Sequence, residues 1–240
     1  MIDFHYWPTP NGWKVAIMLE ECGLEYRVRP VNLDRGEQFR LEFLAISPNN
    51  RMPAIVDHDP PAEYGPQPVP VFESGAILLY LAEKTGRFLP AGARARKETL
   101  EWLFWQMANL GPMGGQLSHF VNYAEGEHPY ARGRYADEYH RCLGVLESRL
   151  AGRDYLVGEY SIADMAAWCW VLGAPKLGQT LDEFPNVTAW RERMKQRPAV
   201  RAGVDLGREY RRLGAPDESA RRVLFGQRGR SSGASEEEKG

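Results

Sequence analysis

The spacing of apolar and polar positions changes character once along this chain. Up to about residue 87, short apolar runs alternate with amphipathic stretches; from about residue 94 the apolar sets repeat with helical spacing. Ile2-Asp3-Phe4-His5-Tyr6 predicts a first strand, and Val15, Met18, Leu19 and Cys22 follow at i, i+3, i+4 and i+7, one face of a helix. Residues 25–33, with Tyr26, Val28 and Val31, predict a second strand, and residues 36–46, with Phe39, Phe43 and Leu44, a second helix. Residues 53–57 read as a third strand and Val69 to Phe72 as its antiparallel partner, close enough for a hairpin-type connection. Ser74 then opens a helix through Ile77, Leu78 and Leu81 that ends near Gly86. The order β-α-β-α-β-β-α predicts a small α/β domain over residues 1–87.

The second part, residues 94–205, predicts an all-helical domain. Leu100, Leu103, Phe104, Met107 and Leu110 form one stripe, with Trp102 and Trp105 on another face, so that helix is expected to be covered on two sides. Tyr135, Tyr139, Cys142, Leu143, Leu146 and Leu150 mark a further helix, and Ile162, Met165, Ala166 and Cys169 a buried central one. Val187, Trp190 and Met194 mark a last helix that stops at Arg197-Pro198, because a residue before proline is pushed out of the α region. Residues 206–240 form an extension whose Arg, Gly, Ser and Glu content predicts disorder from about Ser219.

Composition narrows the partners. Of 240 residues 43% are apolar and 26% charged, an ordinary globular balance, and a net charge of −2 lacks the clustered basic face that nucleic acid requires. The longest apolar run, Met165 to Ala174, is about half the roughly 20 residues of a membrane span. No secretory signal pattern opens the chain, and three scattered cysteines, Cys22, Cys142 and Cys169, form no disulfide framework; a reducing, cytoplasmic setting is expected. The five histidines show no metal-ligand spacing, so no metal is expected.

Three segments carry candidate chemistry. Trp7-Pro8-Thr9-Pro10-Asn11-Gly12 joins the first strand to the first helix, where free backbone N–H groups and the positive end of the helix dipole gather. Thioredoxin-like redox proteins hold a Cys-x-x-Cys pair at such a junction. Here there is a hydroxyl and an amide but no thiol, so a reacting sulfur would have to arrive on a ligand. Glu73-Ser74-Gly75 begins another helix. Ser74 either caps that helix or takes a ligand carboxylate, with Glu73 pairing a ligand ammonium; together they match an α-amino-acid head group. Met52-Pro53 is either a strand-start proline or a cis step that leaves the Met52 backbone free to pair with an extended peptide. Ser161-Ile162-Ala163-Asp164 is a capping box and makes Asp164 a folding residue. Tyr6 is read as core.

Taken together these segments resemble the glutathione transferase superfamily over about residues 1–205. The similarity is strongest to its nu-class branch of bacterial disulfide-bond oxidoreductases, related to the yeast nitrogen-regulator prion protein. The strings that carry it are Pro8 through Gly12, Ile46-Ser47-Pro48-Asn49-Asn50, Phe72 through Tyr80, and Trp102 through Gln106 with Gly111-Pro112-Met113. The resemblance implies a thioredoxin-like α/β N-terminal domain that binds glutathione, followed by an all-α bundle, in a homodimer. It implies that Thr9 and Asn11 face the glutathione sulfur as the catalytic pair. Gln38 would reach the glycyl end, Met52 pair with the cysteinyl backbone, and Glu73 and Ser74 hold the γ-glutamyl head. Arg134, with Arg132 as a competitor, would reach across toward a second glutathione. One or two glutathiones, or glutathione disulfide, would occupy each site. The implied activity is disulfide-bond oxidoreduction, with low transferase or peroxidase activity toward small disulfide or electrophilic substrates. Conjugation of electrophiles and a glutathione-binding regulatory role are the alternatives.

Overall fold

The structure, a computed structural model, describes residues 1–211, 214 and 216–227. The first domain runs β1 (Ile2–Tyr6), α1 (Pro10–Cys22), β2 (Tyr26–Pro30), two 3-10 turns (Leu33–Arg35 and Glu37–Phe39), α2 (Leu41–Leu44), β3 (Ala54–Asp57), β4 (Val69–Phe72) and α3 (Ser74–Thr85). Its four strands lie in the order β2-β1-β3-β4. The β1/β2 pair is parallel and the other two pairs are antiparallel, so β3 and β4 are the expected hairpin-type partners. Phe4 stands opposite Val28 on one side and Ile55 on the other. Ile2, Phe4 and Tyr6 are buried while Asp3 and His5 are half-buried, the period-two alternation of a pleated strand.

The expected helix over residues 36–46 does not form as one element. Gly36 takes a left-handed backbone (φ 73°) and Arg40 an extended one (φ −64°, ψ 141°), which cut the segment into turns; α2 keeps a single turn and buries Phe43. An apolar trio with helical spacing needs only one anchored residue, and here that residue is Phe43.

The second domain contains α4 (Ala93–Trp105), a π-helical turn (Gln106–Leu110), α5 (Gly111–Asn122), α6 (Pro129–Leu150), α7 (Ile162–Val171), α8 (Pro185–Gln196) and α9 (Pro198–Asp205). The expected stripe along α4 holds at buried Leu103 and Leu110 and at half-buried Leu100 and Met107, but Phe104 is turned outward and 63% exposed. α7 is buried along nearly its whole length and forms the centre of the bundle. α8 ends where Arg197 turns extended before Pro198. The two domains meet along α1, which packs against α3 on one side and α7 and α9 on the other. A Cβ on Gly203 of α9 would come within 2.6 Å of the Ile17 backbone nitrogen, so that crossing requires glycine. Arg197 clamps the same contact with a two-bonded pair to Glu21 at 2.7 and 3.0 Å.

The C-terminal extension corrects a second expectation. Disorder was expected from about Ser219, yet Glu218–Phe225 forms α10. Asp217 accepts the Ala220 N–H at 2.8 Å, and Ala220 itself is buried. Arg221 pairs with Glu125 at 3.0 Å, and the Phe225 ring lies 4.8 Å from His119. Polar composition hid a short helix held by docking rather than by its own propensity. The rest of that expectation, residues 228–240, lies outside the described residues.

Candidate active site

A cleft of about 910 Å³ opens between the domains, walled in part by Asn11, Lys14, Glu73, Ser74, Gln106 and Trp170. A smaller recess of about 250 Å³ adjoins it, shares Asn11, Glu73 and Ser74, and adds Asn49, Met52 and Pro53. Helix N-termini from both halves of the first domain, α1 and α3, thus converge on one space.

The α1 corner is built by its loop. Thr9 is the N-cap, its hydroxyl accepting the Gly12 N–H at 3.4 Å, and Pro10 takes the first helical position where no N–H is needed. A Cβ on Gly12 would sit 2.4 Å from the Trp7 carbonyl oxygen, so the tight return of the loop requires glycine there. Asn11 projects into both cavities, and its Oδ1 accepts the indole N–H of Trp170 at 3.1 Å. An indole can only donate, so this bond fixes the amide with its oxygen toward Trp170 and leaves the Asn11 NH₂ as a donor.

The α3 corner carries the charge. Glu73 has a left-handed backbone (φ 67°, ψ 118°), a conformation that costs a non-glycine residue about 1–3 kcal/mol. It turns β4 into α3 and leaves an exposed carboxylate that accepts from Asn49 at 3.3 Å. Ser74 is not the N-cap that a capping role would require. It is the first helical residue, buried, with its hydroxyl 3.4 Å from Lys14 Nζ and 3.8 Å from Met107 Sδ. Met52-Pro53 is cis. Among the described residues Met52 forms no loop backbone hydrogen bond, and it borders the smaller recess.

Two expected residues stand apart. Gln38 is buried, 1% exposed, with Nε2 pointing to the Leu33 carbonyl at 3.5 Å, and it lines neither cavity. The 3-10 turn that replaced the expected helix tucks it under Leu33. Arg134, in the first turns of α6, is exposed, pairs with Glu138 at 3.4 Å and also lines neither cavity. Three residues that bear on the site were not anticipated: Trp170, Gln106 and Lys14. Lys14 is 1% exposed and donates to Gln106 Oε1 at 2.8 Å; burial brings it down to about 7, against Cys169 and the Glu73 carboxylate, which act to raise it. Tyr6 is fully buried and donates to the Leu206 carbonyl at 2.9 Å. Burial holds its phenol well above the ordinary value, so it stays protonated. Cys142 and Cys169 are buried free thiols, Cys169 pushed by burial up to about 12. Among the described residues no three metal-ligating side chains come together, and no helix is long and apolar enough to cross a membrane.

A thioredoxin-like sheet, an all-helical partner domain and a cleft at two helix N-termini define a class. The glutathione S-transferase N-terminal domain model matches residues 1–83 and the C-terminal domain model residues 120–198; the chain belongs to the glutathione S-transferase family. Within it the chain is similar to the disulfide-bond oxidoreductase YfcG of Escherichia coli, 52% identical over 83% of this chain and 93% of that protein. It is also similar to YghU of the same organism, 41% identical over 83% of this chain and 73% of that one, and the relatives extend to URE2 of Eremothecium gossypii at 34% identity. A glutathione transferase of Burkholderia graminis, solved with two glutathione molecules per subunit, superposes with a TM-score of 0.82 at 44% identity, covering 86% of this chain and 88% of the other. One from Pseudomonas putida, solved with one glutathione disulfide per subunit, superposes at 0.80 with 43% identity over 86% and 91%.

Proposed function

We propose that the cleft binds glutathione and that the protein is a glutathione-dependent disulfide-bond oxidoreductase whose reacting thiolate is the ligand's own. The observation that carries this is Asn11: at the head of α1, with its oxygen held by Trp170, it offers an NH₂ donor to an anion where thioredoxin-like proteins place a cysteine. Ser74 and the first N–H groups of α3 would take the γ-glutamyl carboxylate, the exposed Glu73 carboxylate its ammonium, and the Met52 backbone the cysteinyl residue. Thr9 would act mainly through the cap that holds this loop in place. Gln38, whose buried Oε1 has no hydrogen-bond partner among the described residues, would have to turn from Leu33 to reach the glycyl end.

The bound thiolate attacks one sulfur of a disulfide, forming a glutathione mixed disulfide and releasing the other sulfur as a thiolate. A second glutathione thiolate attacks the mixed disulfide. Glutathione disulfide and two substrate thiols result, with two glutathiones oxidised for each disulfide reduced. The same thiolate would conjugate an electrophile held against the apolar wall of Leu103, Phe104 and Met107. Arg134, exposed and paired with Glu138, would reach a second glutathione across the interface of a homodimer. Exposed Phe104 beside Trp105, in an apolar groove with Leu100 and Ala108, supplies a face for such pairing. Three free cysteines fit a reducing cytoplasmic setting.

Reduction of a small disulfide by glutathione tests this. The protein is expected to turn over, and Asn11→Ala is expected to lower the rate at saturating glutathione by about tenfold or more, one charge-assisted hydrogen bond. The loss should shrink as pH rises past the thiol pKa, because the anion then forms unaided. Glutathione binding without turnover would instead favour the regulatory alternative.

A further inference from the structure

Among the described residues Lys14 is the one buried cation in the wall of the cleft, and the thiol chemistry proposed above does not use it. Its amine reaches three atoms: Gln106 Oε1 at 2.8 Å, Ser74 Oγ at 3.4 Å and Met107 Sδ at 3.8 Å. None is a carboxylate, and a buried ammonium is costly unless it is paired. The Gln106 amide is also incompletely used: its Nε2 is buried and has no hydrogen-bond partner among the described residues. Gln106 lies in the π-helical turn between α4 and α5, a distortion that recurs at functional sites. A polar pair from two domains thus sits at the cleft floor with an unmatched positive charge and an unmatched donor.

We propose that Lys14 is a proton-linked contact for the α-carboxylate of the γ-glutamyl group, taking up a proton from solvent as that carboxylate seats on Ser74. This rests on the glutathione site described above. A carboxylate oxygen accepting the Ser74 hydroxyl lies about 2.7 Å from Oγ, which places it within about 6 Å of an amine 3.4 Å from the same oxygen. Opposite charges at that range favour the ionised form. In the empty cleft the amine stands near 7 because of burial, so it is about half neutral at pH 7. The groups around it are few. From α3, Glu73 favours the ammonium but is exposed and turned to Asn49. From α7, Cys169 also favours the ammonium, although burial pushes its own thiol up to about 12. Gln106 and Met107 carry no charge. Arg51 lines the same cleft and is exposed.

The consequence is a preference for a free α-carboxylate and an affinity that falls with rising pH. S-methylglutathione is the probe, since it has no thiol to release a proton of its own. Calorimetric titration at pH 7 in two buffers of different ionisation enthalpy should show net uptake of up to about half a proton per site. Between pH 6.5 and 8 the dissociation constant should rise about eightfold, as the binding-competent ammonium is depleted. Lys14→Met and Lys14→Gln, matched for length or polarity, should bind more weakly, without proton uptake and without that pH dependence. Wild-type binding with no uptake, or the same uptake in either variant, overturns the assignment. Failure of the wild type to bind S-methylglutathione at all would remove the glutathione site itself, a distinguishable result. If neither variant folds, the wild-type buffer comparison still decides.

Discussion

Tyr6 ends β1 only five positions before Asn11, yet its hydroxyl is committed to the Leu206 carbonyl at 2.9 Å and its ring is fully buried. Its single O–H donor is spent on that carbonyl, which leaves none for a thiolate. Tyr6→Phe should therefore leave disulfide reduction within about twofold of wild type while costing roughly 1 kcal/mol of stability, one buried hydrogen bond. Denaturant unfolding and a rate at saturating glutathione measure the two separately; loss of activity without loss of stability would return tyrosine to the site. At this scale the sequence exposed Asn11, Glu73 and Ser74 because each sits beside a strand-to-helix junction. It gave no role to Lys14, nor to Gln106 although that residue closes one of the resembling strings; yet a signal existed: Lys14 lies four residues before Met18, and Gln106 three after Leu103, so both occupy positions of buried stripes. A polar residue on an apolar stripe marks a buried polar site only once the facing helix is known. Trp170 carried no signal, since its indole adds to an apolar run and its bond to Asn11 spans the two domains.

Among elements, α7 is anchored by one buried carboxylate. Asp164 accepts from the Leu156 N–H at 2.9 Å and the Trp190 indole at 3.0 Å through one oxygen, and from the Ser161 N–H and hydroxyl through the other. Asp164→Asn would set an NH₂ against the Ser161 donors and should cost about 2 kcal/mol or more. Burial pushes the Asp164 carboxyl up to about 6 in spite of those bonds. A folded-state value above the ordinary 3.8 means that the native protein holds the extra proton between about pH 4 and 6. The wild type therefore loses stability as pH rises through that window, and the deficit of Asp164→Asn should be largest near pH 4 and smaller at pH 7. A deficit that grows with pH would reverse this account. The capping box was readable because four consecutive residues define it. The turns of residues 36–46 were not, because Phe39, Phe43 and Leu44 satisfy a helical spacing while Gly36 and Arg40 break the backbone on either side of the first turn.

For the whole molecule, the change of apolar period near residue 90 was enough to separate the sheet domain from the bundle, but not to show how they are joined. That joint is α1, shared by both cores, and it is reinforced at the end of the chain. Tyr210 stacks on Trp7 at 5.6 Å, and α10 then bridges the two domains, docking on the Leu33–Arg35 turn of one and on Tyr123 and His119 of the other. No residue of α10 lines the cleft. Half of its eight residues are exposed, with Ala220 its buried anchor. Deleting residues 216–240 should therefore leave glutathione-dependent turnover unchanged and lower the melting temperature by only about 2–4 °C, the shift expected for about 1 kcal/mol in a chain of this size. The loss should be local. Amides that close the Asn32–Glu37 turn, such as Glu37 N–H on the Asn32 carbonyl at 3.1 Å, should exchange faster once α10 is gone, whereas those of α7 keep their protection. Uniformly faster exchange in both would mean that α10 stabilises the whole molecule cooperatively, and unchanged exchange at the turn would mean that it does not hold the domains together there.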